Sequence, residues 1–116
     1  MSDDPSSGHD PVRQLLRSLE EAVSERILWV TCEPNAEPTW LRVRAEVAEL
    51  LTGRWRDGAL VGATPGQAFF VRCDRSTMSQ ADIDAGRLVC VVGVAPVRPA
   101  EFVIIRIEQL TADAKT

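Results

Sequence analysis

The sequence predicts an α+β protein in which a small mixed sheet of about four strands packs against two main helices as a two-layer sandwich. Two observations predict this class. Amphipathic helical stretches dominate the first half of the chain, whereas two β-branched runs, Leu88 to Ala95 and Phe102 to Ile107, lie near its end. In addition, the predicted elements do not alternate regularly between strand and helix, as they do in a doubly wound parallel sheet.

Length and composition predict one domain with little sequence to spare for a second. The chain has 116 residues, of which 45% are hydrophobic and 26% are charged. Its formal net charge of −4 argues against a general nucleic-acid-binding protein, since such proteins carry a basic excess. No segment approaches the roughly 20 apolar residues of a membrane span, and the polar, acidic start is unlike a signal peptide. We therefore expect neither a nucleic-acid partner nor a membrane.

The first predicted element is an amphipathic helix that follows a polar tail. Residues 1–10 are rich in Ser, Asp, Gly and Pro and lack an apolar period, which predicts a flexible tail. Asp10 and Pro11 are typical of an N-cap and of the first helical position. Apolar residues then recur at helical spacing from Val12 to Ile27, which predicts a helix of about four turns.

A short buried strand and a second helix are predicted next. The run Ile27 to Cys32 is β-branched and aromatic and ends at a Pro-containing turn, which favours a strand. Apolar residues at helical spacing from Trp40 to Trp55 predict the second helix, and Gly58 is its expected stop. Trp55 falls on the apolar stripe, so we expect it in the core and not on a base-stacking surface. Four arginines lie off the stripe: Arg42, Arg44, Arg54 and Arg56.

The second half of the chain predicts another strand, a short helix and two terminal strands. The strand is expected at Gln67 to Asp74. Ser79 or Thr77 is positioned to cap the short helix, and Gly86 fits the left-handed position that ends it. Beyond this domain, assigned to residues 11–109, we expect residues 110–116 to fray.

Both terminal runs are apolar at nearly every position, which predicts strands covered on both faces. For the last strand two interpretations stay open. It is either a central strand of this domain's own sheet, or a strand that passes through the Pro96 to Pro99 elbow and completes a neighbour's sheet. Alternation places three of its residues on each face: Val103, Ile105 and Ile107 on one, and Phe102, Ile104 and Arg106 on the other.

No residue pattern indicates a catalytic, metal or cofactor site. The only histidine, His9, lies in the predicted tail, where it cannot be held as a general base. The acidic residues before Gly86 lack the closing Glu of a calcium loop. The three cysteines, Cys32, Cys73 and Cys90, are unpaired in spacing and are interpreted as reduced core thiols of a cytoplasmic protein.

Four pieces of the sequence, in unbroken order, carry a family resemblance. They are WVTCEPN at residues 29–35, TWLRVR at residues 39–44, LTGRWRDGALVGATPGQAFFVRCD at residues 51–74, and TMSQADIDAGRLVCVVGVAPVRPAEFVIIRI at residues 77–107. Together, from about Trp29 to Gln109, they resemble the C-terminal domain of contractile tail sheath proteins of phages, pyocins and phage-tail-like injection systems. The resemblance covers roughly three quarters of the chain by count of positions.

This resemblance implies a structural, non-enzymatic protein assembled in the cytoplasm. In the family, subunits stack around an inner tube, and exchanged arms add strands to neighbouring sheets. By position, Ala100 to Gln109 corresponds to the C-terminal arm, and the helix around Arg54, Trp55 and Arg56 is a candidate to face the tube. The expected partners are sheath-family subunits, either copies of this chain or a full-length sheath, and the tube protein. The implied interface residues are Phe102, Val103, Ile104, Ile105, Arg106 and Ile107.

The chain also departs from the family pattern. Sheath subunits are usually several hundred residues long, and this chain has only Met1 to Asp10 in place of their N-terminal parts. We therefore expect a minor sheath-like piece that caps a stack, a subunit that works beside a full-length sheath, or a remnant of a truncated gene. A second hypothesis, from another class, is a free-standing adaptor or regulatory module that keeps the fold as a monomer or closed dimer.

Overall fold

The computed structural model of the chain describes residues 10–114 and confirms the α+β class. The predicted tail lies outside the described residues, except for Asp10. Within the described part, no helix has the length and apolarity that membrane crossing requires. The regular elements are α1 (Pro11–Arg26), a 3₁₀ helix (Leu28–Cys32), α2 (Glu37–Arg56), α3 (Pro65–Ala68), β1 (Phe69–Arg72), α4 (Gln80–Asp84), β2 (Arg87–Val94) and β3 (Val103–Leu110).

The main helices are bounded by the signals that the sequence contains. At the start of α1, Asp10 Oδ1 accepts hydrogen bonds from the Val12 N–H at 3.0 Å and the Arg13 N–H at 3.4 Å. These bonds satisfy N–H groups that have no partner inside the helix. After α2, Gly58 has a φ of +88°, a conformation that glycine adopts at little cost. The predicted cap and stop are thus confirmed.

The strand predicted at Ile27 to Cys32 is wrong, because this segment folds into the 3₁₀ helix. The Val30 N–H donates to the Ile27 carbonyl, and the Glu33 N–H donates to the Val30 carbonyl, each at 3.0 Å. Ile27 and Val30 are fully buried, whereas Leu28 is 56% exposed. The segment therefore inserts apolar side chains into the core without joining the sheet, and packing overrides its β propensity.

In the part of the chain that the structure describes, the sheet has three antiparallel strands in the order β1-β2-β3, in place of the predicted mixed sheet of about four. Phe69 of β1 is opposite Val94 of β2, which is opposite Val103 of β3. The count is lower because the segment before α2 contributes a 3₁₀ helix instead of a strand. Strand β2 is consequently the centre of the sheet, with a neighbour on each side.

Strand β2 is also the centre of the hydrophobic core. Its predicted burial on both faces is confirmed, because Leu88 and Val89, whose side chains point to opposite faces, are both fully buried. Apolar side chains of α1 and α2 join the same core cluster as the β2 residues. They are Leu19 and Val23 from α1, and Trp40, Val43, Val47 and Leu51 from α2.

Strand β3 differs from β2, because the described chain covers only one of its faces. Ile105 and Ile107 are 9% and 4% exposed, whereas Ile104 between them is 56% exposed. Successive side chains of a strand point to opposite faces, so the burial follows this alternation. Within residues 10–114, the second face of β3 lacks the cover that the sequence led us to expect.

The segment after β3 forms hydrogen bonds with the rest of the domain, and residues 115–116 of the expected frayed end lie outside the described residues. The Thr111 N–H and hydroxyl both donate to the Gly86 carbonyl at 2.9 Å. The Ala112 N–H donates to the Glu33 carbonyl, also at 2.9 Å. Both acceptors lie in distant parts of the chain, and the fraying expected at the chain end from its polar composition stays a prediction.

Gly93 of β2 allows close packing on the outer face of the sheet. A Cβ atom at this position would stand 2.0 Å from a ring carbon of Phe70, its cross-strand neighbour. Real Cβ atoms do not approach this closely, so the Phe70 ring occupies space that only glycine leaves free.

We expect Gly93→Ala to lower the free energy of unfolding by about 1–3 kcal/mol, because the Phe70 ring must shift. The matched control is Gly53→Ala in α2, where an added Cβ meets nothing within 4 Å. That substitution should leave stability unchanged or raise it by roughly 0.5–1 kcal/mol. Urea unfolding monitored by circular dichroism measures both, and equal midpoints for Gly93→Ala and the natural chain would contradict the packing argument.

Candidate interface at the open sheet edge

Strand β3 forms one edge of the sheet. It pairs with β2 on one side, from Val94–Val103 to Arg87–Leu110, and no described strand pairs with its other side. Along that side, backbone N–H and C=O groups face outward without a strand partner. Such an edge is a template for an added strand, in which backbone hydrogen bonds supply affinity and side-chain positions supply register.

A groove of about 360 Å³ runs beside this edge, between α1 and β3. Leu16 of α1 is half-buried in it and gives it an apolar part. The rest of the α1 side is charged, with Arg13 and Arg17 one helical turn apart. On the other side, the groove is bordered by residues 103–106 of β3. Glu20 completes the α1 side of the lining.

The structure separates the six predicted interface residues into three groups. Val103, Ile104 and Arg106 are exposed beside the groove, while Ile105 and Ile107 face the core and are largely withdrawn from solvent. The sixth residue precedes the strand: Phe102 packs edge-on against Phe70, with ring centroids 5.1 Å apart and planes at 87°.

The α1 side of the groove was missed as an interface by reasoning from sequence. In the sequence, Arg13 and Arg17 are polar residues that lie between the apolar positions of an amphipathic helix. Their spacing of four residues places both on one face of α1, but only the packed structure brings that face next to β3. The local sequence therefore shows that Arg13 and Arg17 share a helix face, but it does not show which element that face contacts.

The Pro96 to Pro99 elbow is anchored at both ends. Before it, the Ala95 carbonyl accepts a hydrogen bond from the Val61 N–H at 2.8 Å. After it, the Ala100 N–H donates to the Gln67 carbonyl at 2.7 Å, and Ala100 has a φ of +60°. These contacts turn the chain back so that β3 runs antiparallel to β2.

The candidate tube-facing residues on α2 also fall into two groups. The indole Nε1 of Trp55 donates to the Gly62 carbonyl at 2.8 Å, and its ring packs against the core, as predicted. Arg56 is exposed and Arg54 is half-buried beside a second groove that α1 and α2 form. Both arginines lie in the last turn of α2, where positive charge also favours the helix dipole.

Two of the three cysteines are core residues. Cys73 and Cys90 are fully buried, and a hydrogen bond with the Cys90 thiol, together with burial, raises the pKa of the Cys73 thiol far above its usual range. Cys32 is exposed, so its assignment to the core is wrong. The reason is the 3₁₀ turn, which directs Val30 inward and leaves Cys32 at the surface.

Of the acidic residues before Gly86, Asp82 helps to cap α4 and Asp84 accepts a hydrogen bond from the Gln80 side chain. Ser79 Oγ accepts a hydrogen bond from the Asp82 N–H at 3.1 Å, and Asp82 Oδ2 accepts one from the Ser79 N–H at 3.0 Å. This capping box confirms Ser79 as the cap of α4, and the bonds from Ser79 hold the pKa of the Asp82 carboxyl below its usual range. In the described residues, no three His, Cys, Asp or Glu side chains are grouped to hold a metal ion.

Comparison with known proteins finds a family model and solved structures that are similar to this chain. Residues 2–109 match the family model described as phage tail sheath C-terminal domain. A chain in the cryo-EM structure of the anti-feeding prophage baseplate is 38% identical, with a TM-score of 0.71 over 85% of this chain. A chain in the contracted sheath complex of an extracellular contractile injection system, PVC, is 42% identical, with a TM-score of 0.70 over 89% of this chain. The match spans 28% of each of those two chains. No curated protein matches the sequence.

The burial of the thiols predicts their reactivity. In the natural chain, a maleimide reagent should modify Cys32 rapidly, whereas Cys73 and Cys90 should react more than about a hundredfold more slowly because they must first be exposed by opening of the fold. Mass spectrometry of timed samples measures the three rates. In a Cys32→Ser variant, rapid modification of the folded chain would show that the two buried thiols are accessible, contrary to this structure.

Proposed function

The chain belongs to the phage tail sheath C-terminal domain family, and we propose from this that it is a structural assembly protein of a contractile tail or phage-tail-like injection system. The observation that supports the proposal most directly is the open edge of β3 beside an apolar and charged groove. A surface of this kind suits attachment of another subunit and not turnover of a small molecule. The two structurally similar chains, from a baseplate and a sheath complex, are consistent with such a role.

The proposed mode of attachment is strand addition at β3. In its simplest form, β3 stays on β2 and a segment of a neighbouring sheath-family subunit pairs with the free side of the strand. This form is supported by the eight-residue register between β2 and β3 and by the buried side chains of Ile105 and Ile107. Side chains of the added strand would then pack beside the exposed side chains of Val103 and Ile104, one on each face of the sheet.

A reciprocal exchange is the second form of the same attachment. Here the chain opens at the Pro96 to Pro99 elbow, and β3 takes its place on the β2 strand of a neighbour. The contacts of β3 are the same in both arrangements, so the exchange costs little beyond opening the elbow. Opening requires the hydrogen bonds of Val61 and Ala100 to break, unless the neighbour restores them.

We also propose that the inner tube protein contacts the end of α2. Arg54 and Arg56 are the residues available there, since the ring of Trp55 packs inward. Paired positive charges on a helix end suit an acidic partner surface and favour correct orientation during docking. Assembly in the cytoplasm is part of the proposal, and the unpaired thiols of Cys73 and Cys90 are compatible with it.

The strand-addition proposal predicts that Ile104→Lys weakens assembly. A lysine at this exposed position leaves the core intact but places a solvated charge beside the edge that the incoming strand must approach. We expect at least about a tenfold loss in association with sheath-family subunits, measured by sedimentation velocity and electron microscopy. The matched control is Leu41→Lys on α2, where the natural side chain is 58% exposed, compared with 56% for Ile104.

Equal assembly of the Ile104→Lys and Leu41→Lys variants would remove the open edge of β3 as the attachment site. The behaviour of the natural chain tests the wider proposal. A mass that rises with concentration, alone or with a full-length sheath subunit, supports open-ended assembly. A monomer or closed dimer that ignores sheath subunits at every concentration would contradict it and favour the adaptor hypothesis.

A further inference from the structure

We propose that the groove between α1 and the open edge of β3 selects an incoming strand that carries acidic side chains. This inference rests on strand addition at β3, and it adds the chemistry of the partner. Three observations support the inference: the geometry of the groove, its charge, and the apolar side chains of its lining.

The geometry shows that the groove follows the strand edge. Four consecutive residues of β3, 103–106, line it. Consecutive side chains of a strand point to opposite faces of the sheet, so a groove that touches all four must run along the edge where both faces meet. An extended segment lying in this groove would have the outward backbone groups of β3 within reach.

The charge of the groove is opposite to that of the whole chain. Its lining contains three arginines, Arg13, Arg17 and Arg106, and one carboxylate, Glu20, although the chain has a net charge of −4. Among the described residues, Arg13 and Arg17 form no salt bridge, while Arg106 Nε lies 3.0 Å from Glu108 Oε2. Two exposed guanidinium groups one helical turn apart repel each other, and a carboxylate placed near both would relieve that repulsion.

The apolar part of the groove excludes a purely charged occupant. Leu16 is half-buried in the lining, and Ile104 is exposed on the strand side. A fitting segment therefore offers apolar side chains to these two residues and acidic side chains to the arginines. The phosphates of a nucleic acid could bind the arginines, but a nucleic acid would not pair with the backbone edge of β3 or cover the apolar side chains. We therefore infer that the occupant is an acidic, extended peptide segment.

Three labelled nine-residue peptides with blocked ends test the inference. They alternate valine with glutamate, glutamine or lysine, and so share the ability to add a strand while differing in charge. Binding to the full chain is measured by fluorescence anisotropy at low ionic strength, where charge effects are strongest. We expect the glutamate peptide to bind about tenfold more tightly than the glutamine peptide, and the lysine peptide to bind most weakly.

The variants identify the residues responsible. In Arg13→Gln/Arg17→Gln, the advantage of the glutamate peptide over the glutamine peptide should fall below about twofold. The control, Arg42→Gln/Arg75→Gln, removes the same charge from exposed positions outside the groove and should keep the advantage.

Failure of the acidic selectivity and failure of strand addition give different results. Equal binding of the glutamate and glutamine peptides, or an acidic preference that survives Arg13→Gln/Arg17→Gln, overturns the acidic selectivity and leaves strand addition standing. If none of the three peptides binds, strand addition at this edge fails, and the inference fails with it. In the supporting case, amide resonances of residues 103–106 shift when the glutamate peptide is added.

Discussion

The antiparallel pairing of β3 with β2 fixes both the hydrophobic core and the strand edge of this protein. It extends over eight residues and places Ile105 and Ile107 in the core that α1 and α2 complete. The same pairing uses only one side of β3, and no other strand among residues 10–114 pairs with its second side. Core formation and the proposed attachment site are thus two consequences of a single strand position.

The two faces of β3 differ in how much they stabilise the domain. Full burial of an isoleucine side chain contributes on the order of 1.5–3 kcal/mol, so Ile105 and Ile107 together hold the strand firmly in place. The exposed residues on the outer face make no comparable contribution within the chain. An exchange of β3 between subunits is therefore balanced only if the neighbour offers the same core, which a sheath-family subunit would do.

The charge distribution adds a second asymmetry. The chain is acidic as a whole, yet the groove beside the open edge contains an excess of arginine. Electrostatic complementarity of this kind contributes mainly to specificity and association rate, whereas backbone pairing contributes affinity. A strand edge alone accepts many sequences, so a basic groove next to it provides a physical means of choosing among them.

Elements that depend on local signals could be predicted from the sequence. Helical periodicity and the Asp10 cap defined α1, the Ser79 cap defined α4, and a continuous β-branched run defined β2. The family was also evident from residue identities alone, and the model match over residues 2–109 confirms it. These features extend over neighbouring residues in the chain, which is the range that propensity and capping describe.

Features that depend on distant contacts could not be predicted in this way, because they are set by packing between separate elements. The segment Leu28–Cys32 has strand composition, but core packing fixed it as a 3₁₀ helix and left Cys32 exposed. Both terminal runs are similarly apolar, yet β2 is central and β3 is an edge, because sheet position depends on pairing between remote segments. The basic groove likewise needs Arg13 and Arg106 together, and no local pattern brings residues so far apart in the chain to one surface.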